Sequence, residues 1–178
     1  MDILPVLEEN QMSPQAKEHL AGVKKKIGKV PNGYAVTAHS PIALDAFLSS
    51  RKKLRQGQFN AQETEAIALV TAQELKCSYC LAGHTLVAKM ARIPEDETLR
   101  LRKGESENPK FAALAALAQD IVRTQGRPSD DRIQVFFNAG YSREALVELI
   151  AHIAINYFTA YLNKVARTPS EYPPAKEI

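Results

Sequence analysis

Cysteine is almost missing from this chain of 178 residues: two occur, three positions apart. A disulfide between residues so close closes a loop worth only roughly 2 kcal/mol in chain entropy, so stapling of a scaffold is a poor reason for the pair. Glycine is scarce at 8 residues and β-branched alternation is lacking, which removes the usual marks of a strand-rich fold. Charge of one sign is lacking too, since 23 basic side chains face 20 acidic ones for a net +3. With aromatics at 7%, the basic clusters Lys24 to Lys26 and Arg51 to Arg55 read as solvated helix faces, not as a nucleic-acid footprint. No uninterrupted apolar run of membrane-spanning length occurs. The longest stretch, Ala145 to Leu162, is broken by Glu148, His152 and Asn156 and reads as a buried helix. The start, MDILPVLEEN, is acidic and lacks the basic and apolar regions of a secretory signal, so a cytoplasmic location is expected.

What is present is helical. Good helix formers recur in every segment, and the breaks between them carry start and stop chemistry. Ser13-Pro14 opens a first helix to about Ile27, before a loop from Gly28 to Gly33 that contains Pro31. Ser40-Pro41 opens a second to about Gln56, and Asn60 with Glu63 forms a capping box that starts a third near Ala61. A further helix carries the cysteine segment to about Ala91, and Pro94 begins a short one. Asn108-Pro109 opens an Ala- and Leu-rich helix to Thr124, with Ser129 and Ser142 as further caps. We expect one all-α domain over residues 1–178, of about seven to eight helices. Residues 168–178, with Pro169, Pro173 and Pro174, form an irregular tail, either frayed or docked on a neighbour.

The chemistry concentrates in Cys77-Ser78-Tyr79-Cys80, with His84 four residues beyond. At about 100° per helical residue, Cys77, Cys80 and His84 fall within roughly a 60° sector, so one helix can present two sulfurs and an imidazole to one site. In a cytosolic chain this spacing reads as a pair that cycles between dithiol and disulfide. An ordinary thiol, with a pKa of about 8.5, needs helix N-terminal amides or a nearby base to become a thiolate, and His84 is placed to be that base. Two alternatives stand beside this: a zinc site, for which no fourth ligand is evident, and two merely buried cysteines. Glu65 lies twelve residues before Cys77. In one unbroken helix it would point about 120° away, so a shared site requires a turn between them. It is either a proton acceptor beside the thiols or an exposed first-turn acid.

Glu65, eleven intervening residues and then Cys77-Ser78-Tyr79-Cys80-Leu81-Ala82-Gly83-His84 resemble the signature of the AhpD-like alkylhydroperoxidases of the carboxymuconolactone decarboxylase superfamily. The resemblance centres on about residues 40 to 95. It implies an AhpD-like helical fold and a thiol-dependent peroxidase, with Cys80 attacking the hydroperoxide, Cys77 resolving, and Glu65 and His84 in a proton relay. It also implies a homo-oligomer, no bound metal, haem or flavin, and a thiol electron-donor protein or small dithiol as partner. The sequence departs from the pattern at Tyr79, where the best-known members have histidine; this phenol is either a relay or substrate-site group or ordinary packing. A lactone decarboxylase and a redox-responsive binding module are the other readings carried forward.

Sliding the chain by 79 residues sets Glu65-Ala66 on Glu144-Ala145 and Ala72 on Ala151, which suggests a degenerate duplication whose second copy kept the helix pair and lost the thiols. Within it, Glu148, His152 and Asn156 form a polar stripe on an apolar helix. Such a stripe needs partners, and bonding between helices or subunits is preferred over a place in the active-site wall. His19 and His39 are expected at the surface or in loops.

Overall fold

The computed structural model describes residues 3–178, so the first two residues of the acidic N-terminal stretch lie outside it. Among the described residues there are nine α-helices, one short 3₁₀ turn at Glu9–Gln11 and no strands. They are α1 (Pro14–Ile27), α2 (Asn32–Thr37), α3 (Pro41–Leu54), α4 (Ala61–Glu74), α5 (Ser78–Met90), α6 (Glu95–Arg102), α7 (Pro109–Arg123), α8 (Asp130–Asn138) and α9 (Arg143–Ala166).

The expected caps are present and explain where the helices start. Side chains of Ser13, Ser40, Ser129 and Ser142 each accept a first-turn N–H, and Asn108 does so ahead of Pro109. Asn60 and Glu63 form the reciprocal box at α4, and the buried Glu63 carboxylate also accepts from the Tyr141 hydroxyl at 2.9 Å. The helix absent from the sequence expectations is α2, which begins at the end of the expected Gly28 to Gly33 loop. It is six residues long and its N-cap, Pro31, offers no side-chain acceptor.

α4 is the hub, packed against α5, α6, α7 and α9. Its Ile67, Leu69 and Val70 are fully buried with Leu114 and Leu117 of α7 and Leu149 of α9. At about 1.5–3 kcal/mol per buried aliphatic side chain, this cluster dominates the apolar stabilisation of the fold. A second cluster joins Ala16 and Leu20 of α1 to Ala35 of α2 and Leu44 of α3.

Two expectations fail in α9. The proposed second copy of the thiol helix pair is a single unbroken helix of 24 residues, with Asn156 and Thr159 in its interior, whereas the first copy is interrupted at residues 75–77. The helix is also less buried than its composition suggested. It is long and apolar enough to cross a bilayer by length and composition, and it leaves Val147, Ile150, Phe158, Tyr161 and Val165 exposed on one side. The tail is irregular as expected, but it docks on its own chain. Arg102 donates to the Lys176 carbonyl at 2.6 Å, and Asn32 donates to the Pro169 carbonyl at 3.0 Å.

Candidate active site

The turn required between Glu65 and Cys77 exists. α4 closes with Cys77 N–H donating to the Ala72 carbonyl at 3.0 Å, and Lys76 adopts φ 52°, the left-handed conformation that reverses a chain after a helix. The turn folds α5 back along α4. In one straight helix, Glu65 and His84 would stand roughly 28 Å apart; in the hairpin, His84 Nδ1 lies 2.7 Å from Glu65 Oε2. Glu65 is buried, not the exposed first-turn acid of the alternative reading. Burial pushes its carboxyl up, but the charge and hydrogen bond of His84, aided by Arg51 and Arg55, outweigh burial and leave it below the ordinary carboxylate value. With Nδ1–H donating to Glu65, the imidazole Nε2 is the nitrogen left to accept a proton.

Cys77 is the N-cap of α5 and Cys80 lies in its first turn, and the two are joined in a disulfide. The Cys80 N–H donates to Cys77 Sγ at 3.3 Å, so negative charge on that sulfur meets the positive end of α5. Both sulfurs are buried among Ala72, Ala160, Tyr79 and Leu81, with Cys80 at 7% exposure and Cys77 at 1%. Asn163 of α9 donates to Cys80 Sγ at 3.9 Å. His84 follows Cys80 by one helical turn, the spacing at which side chains share a face about 5–6 Å apart.

Tyr79 points away from the imidazole. Its hydroxyl accepts from Gly33 N–H at 2.7 Å and lies 3.2 Å from Glu171 Oε1, and its ring packs on Tyr172 of the tail. Burial pushes its phenol well above the ordinary value, so it stays protonated at neutral pH. Burial likewise pushes Tyr172 up to about 12.

A cavity of about 30 Å³ opens beside the pair, lined by Glu65, His84, Arg51, Arg55, His152 and Asn156. At about 10–15 Å³ per water, it admits roughly two water-sized groups. The cluster that contains Arg51 and Arg55 is thus not simply a solvated face. The stripe on α9 also divides differently than expected: Glu148 accepts from Gln58 N–H at 2.7 Å, while His152 and Asn156 belong to the cavity wall. Sequence reasoning missed Asn163 altogether as a neighbour of the thiols; its only mark is polarity on an apolar helix. His39 is exposed in a turn and His19 sits near Asp45, both outside the site. Among the described residues, no three His, Cys, Asp or Glu side chains group to hold a metal ion.

Fold and site together define an all-helical protein whose CxxC disulfide caps a helix beside a buried glutamate–histidine pair. Residues 40–120, from the N-cap of α3 into α7, match the carboxymuconolactone decarboxylase family. An AhpD-core, peroxidase-related protein from Ralstonia eutropha JMP134 superposes with a TM-score of 0.83 at 18% identity, covering 94% of this chain and 90% of that one. The debrominase Bmp8, in a complex with 2,3,4-tribromopyrrole, gives 0.81 at 20% identity over 95% and 91% of the two chains. A peroxidase-related protein from Silicibacter sp. TM1040 gives 0.75 at 18% identity over 97% and 90%. At these identities the likeness speaks for the fold. No curated protein sequence matches the chain.

Proposed function

We propose that the protein is a thiol peroxidase that reduces hydroperoxides through a Cys77–Cys80 dithiol/disulfide cycle. The observation that supports this reading most is the helix-capping CxxC pair one turn from a histidine held by a buried carboxylate. His84, oriented by Glu65, takes the Cys80 proton. The thiolate attacks the terminal oxygen of the hydroperoxide, the O–O bond breaks, and the alkoxide takes up a proton from the imidazolium. The Cys77 thiol then attacks the sulfenic sulfur: the S–S bond forms, the S–O bond breaks, and hydroxide leaves as water with the Cys77 proton. An external dithiol supplies two electrons and two protons to reopen the disulfide. Of the two sulfurs, Cys80 is the less buried and the better target for that dithiol, and Cys77 leaves as a thiolate onto the Cys80 N–H. This reading needs no metal, haem or flavin, and places the protein in a cytoplasmic setting with a thiol donor as partner.

The test is consumption of cumene hydroperoxide by pre-reduced protein in excess dithiothreitol. Turnover in the wild type that is lost in Cys80→Ser supports the reading. Bromide release from 2,3,4-tribromopyrrole without hydroperoxide turnover would replace it with a dehalogenase. The same reading includes a homo-oligomer. Val147, Ile150, Ala154, Phe158, Tyr161 and Val165 recur at three- and four-residue steps along the exposed side of α9, the pattern into which a helix of a second copy packs. Light scattering on wild type and Phe158→Glu reads that part.

A further inference from the structure

The cavity beside Glu65 and His84 holds more hydrogen-bond donors than its own chain satisfies. Arg51 in the last turn of α3 and Arg55, its C-cap, lie one turn apart and both line it. Arg51 is half-buried, rests over the Phe47 ring at 5.6 Å and donates to the Tyr34 hydroxyl at 3.1 Å. Neither guanidinium has a carboxylate within salt-bridge reach among the described residues. The one acid in the cavity wall, Glu65, is already engaged by His84. A third group points the same way. His152 is 6% exposed, lines the same cavity, and its Nε2 is buried without any hydrogen-bond partner. A buried nitrogen left unpaired costs about 1–3 kcal/mol, and two guanidinium groups beside it raise the local positive potential. What is missing is an acceptor with negative charge, and the planar forks of two arginines suit a carboxylate.

Resting on the thiol peroxidase reading, we infer that the substrate is an organic hydroperoxide bearing a carboxylate, which Arg51 and Arg55 hold at the exposed end of the cavity, with His152 donating at its inner wall. Arg55 is exposed and Arg51 half-buried, so the charged end of the substrate sits toward solvent. Its hydroperoxide end reaches into the cavity beside His84, which follows Cys80 by one turn of α5, while the body of the substrate lies outside this space for about two water-sized groups. The polar groups of the wall thus divide into an anion-binding end on α3 and a proton-handling end on α4 and α5.

The experiment compares 4-carboxycumene hydroperoxide with its methyl ester, two substrates that differ in one charge. In the wild type, kcat/KM is expected to favour the carboxylate by at least about tenfold, the range of hydrogen bonds to charged groups. In the Arg51→Met/Arg55→Met double variant, that ratio is expected to fall to near one. Each ratio is internal to one protein, so any general loss of rate cancels. Wild-type turnover of both substrates without preference would overturn the inference while leaving peroxidase chemistry standing. If neither substrate is turned over, the peroxidase reading fails on its own, and binding of the unreactive 4-isopropylbenzoate decides the inference. Calorimetric binding to the wild type, abolished in the double variant and absent for the methyl ester, supports an anion site; equal binding of acid and ester, or none, overturns it.

Discussion

Replacing Glu65 by glutamine keeps the volume of the side chain and removes its charge, so it isolates what the carboxylate does for His84. In the resting protein the pair is a charged acceptor 2.7 Å from an imidazole nitrogen, both largely shielded from water. In the proposed cycle the imidazole takes the Cys80 proton, and the hydrogen bond becomes an ion pair. Losing a charged partner costs about 1.5–3 kcal/mol, which is about a 10- to 150-fold slower reaction of Cys80. The assay is single-turnover oxidation of pre-reduced protein by cumene hydroperoxide, followed as loss of free thiol by rapid quench. Because Glu65 lies below the ordinary carboxylate value, it stays ionised throughout pH 5.5–8. Titration of Glu65 itself therefore adds nothing to the pH dependence of the deficit over that range. A variant as fast as wild type at pH 7 would refute the role assigned to the pair.

Other perturbations probe the supports of the site. Tyr79→Phe leaves Gly33 N–H without its acceptor, and a loss of about 1–3 kcal/mol, roughly 2–12 °C in melting temperature, is expected by calorimetry. Gly33→Ala places a methyl 2.9 Å from the Tyr79 ring and is expected to destabilise by a similar amount; a neutral result would show that the ring moves freely. Asn60→Ala removes an acceptor for two first-turn N–H groups of α4 and is expected to cost about 1 kcal/mol in urea unfolding. Burial pushes His152 below the ordinary imidazole value, against the upward pull of Glu148 and Glu65 and with the downward push of Arg51. The stability held by neutral His152 is thus fully present above about pH 6.5 and lost as pH falls through its lower folded value. The melting temperature of His152→Gln is expected to drop less between pH 7 and pH 5 than that of wild type; parallel drops would contradict this.

What could be read along the chain was what local hydrogen bonds decide. Ser13, Ser40, Asn60, Asn108, Ser129 and Ser142 cap helices because each acceptor sits within three residues of the N–H it satisfies. The thiol motif was legible for the same reason, since Cys77, Cys80 and His84 share one helix. The helix α2 was not: too short to stand alone and lacking a side-chain cap, it is held from a distance by Tyr79, Glu171 and the Pro169 carbonyl. The cavity was not legible either. Arg51 on α3 and His152 on α9 are about a hundred residues apart, and only the packing of α3 against α9 places them on one wall. The duplication failed because pattern matching between residues 65–84 and 144–163 registered composition, while the turn at Lys76 that makes a helix pair has no equivalent in α9.

The most direct test of the thiol cycle is steady-state hydroperoxide consumption by wild type, Cys77→Ser and Cys80→Ser in excess dithiol, with the thiol state of each read by mass spectrometry after one turnover. The account predicts turnover in the wild type, a Cys77–Cys80 disulfide as its oxidised product, a sulfenic acid on Cys80 in Cys77→Ser, and no reaction in Cys80→Ser. Full turnover in Cys80→Ser would contradict it.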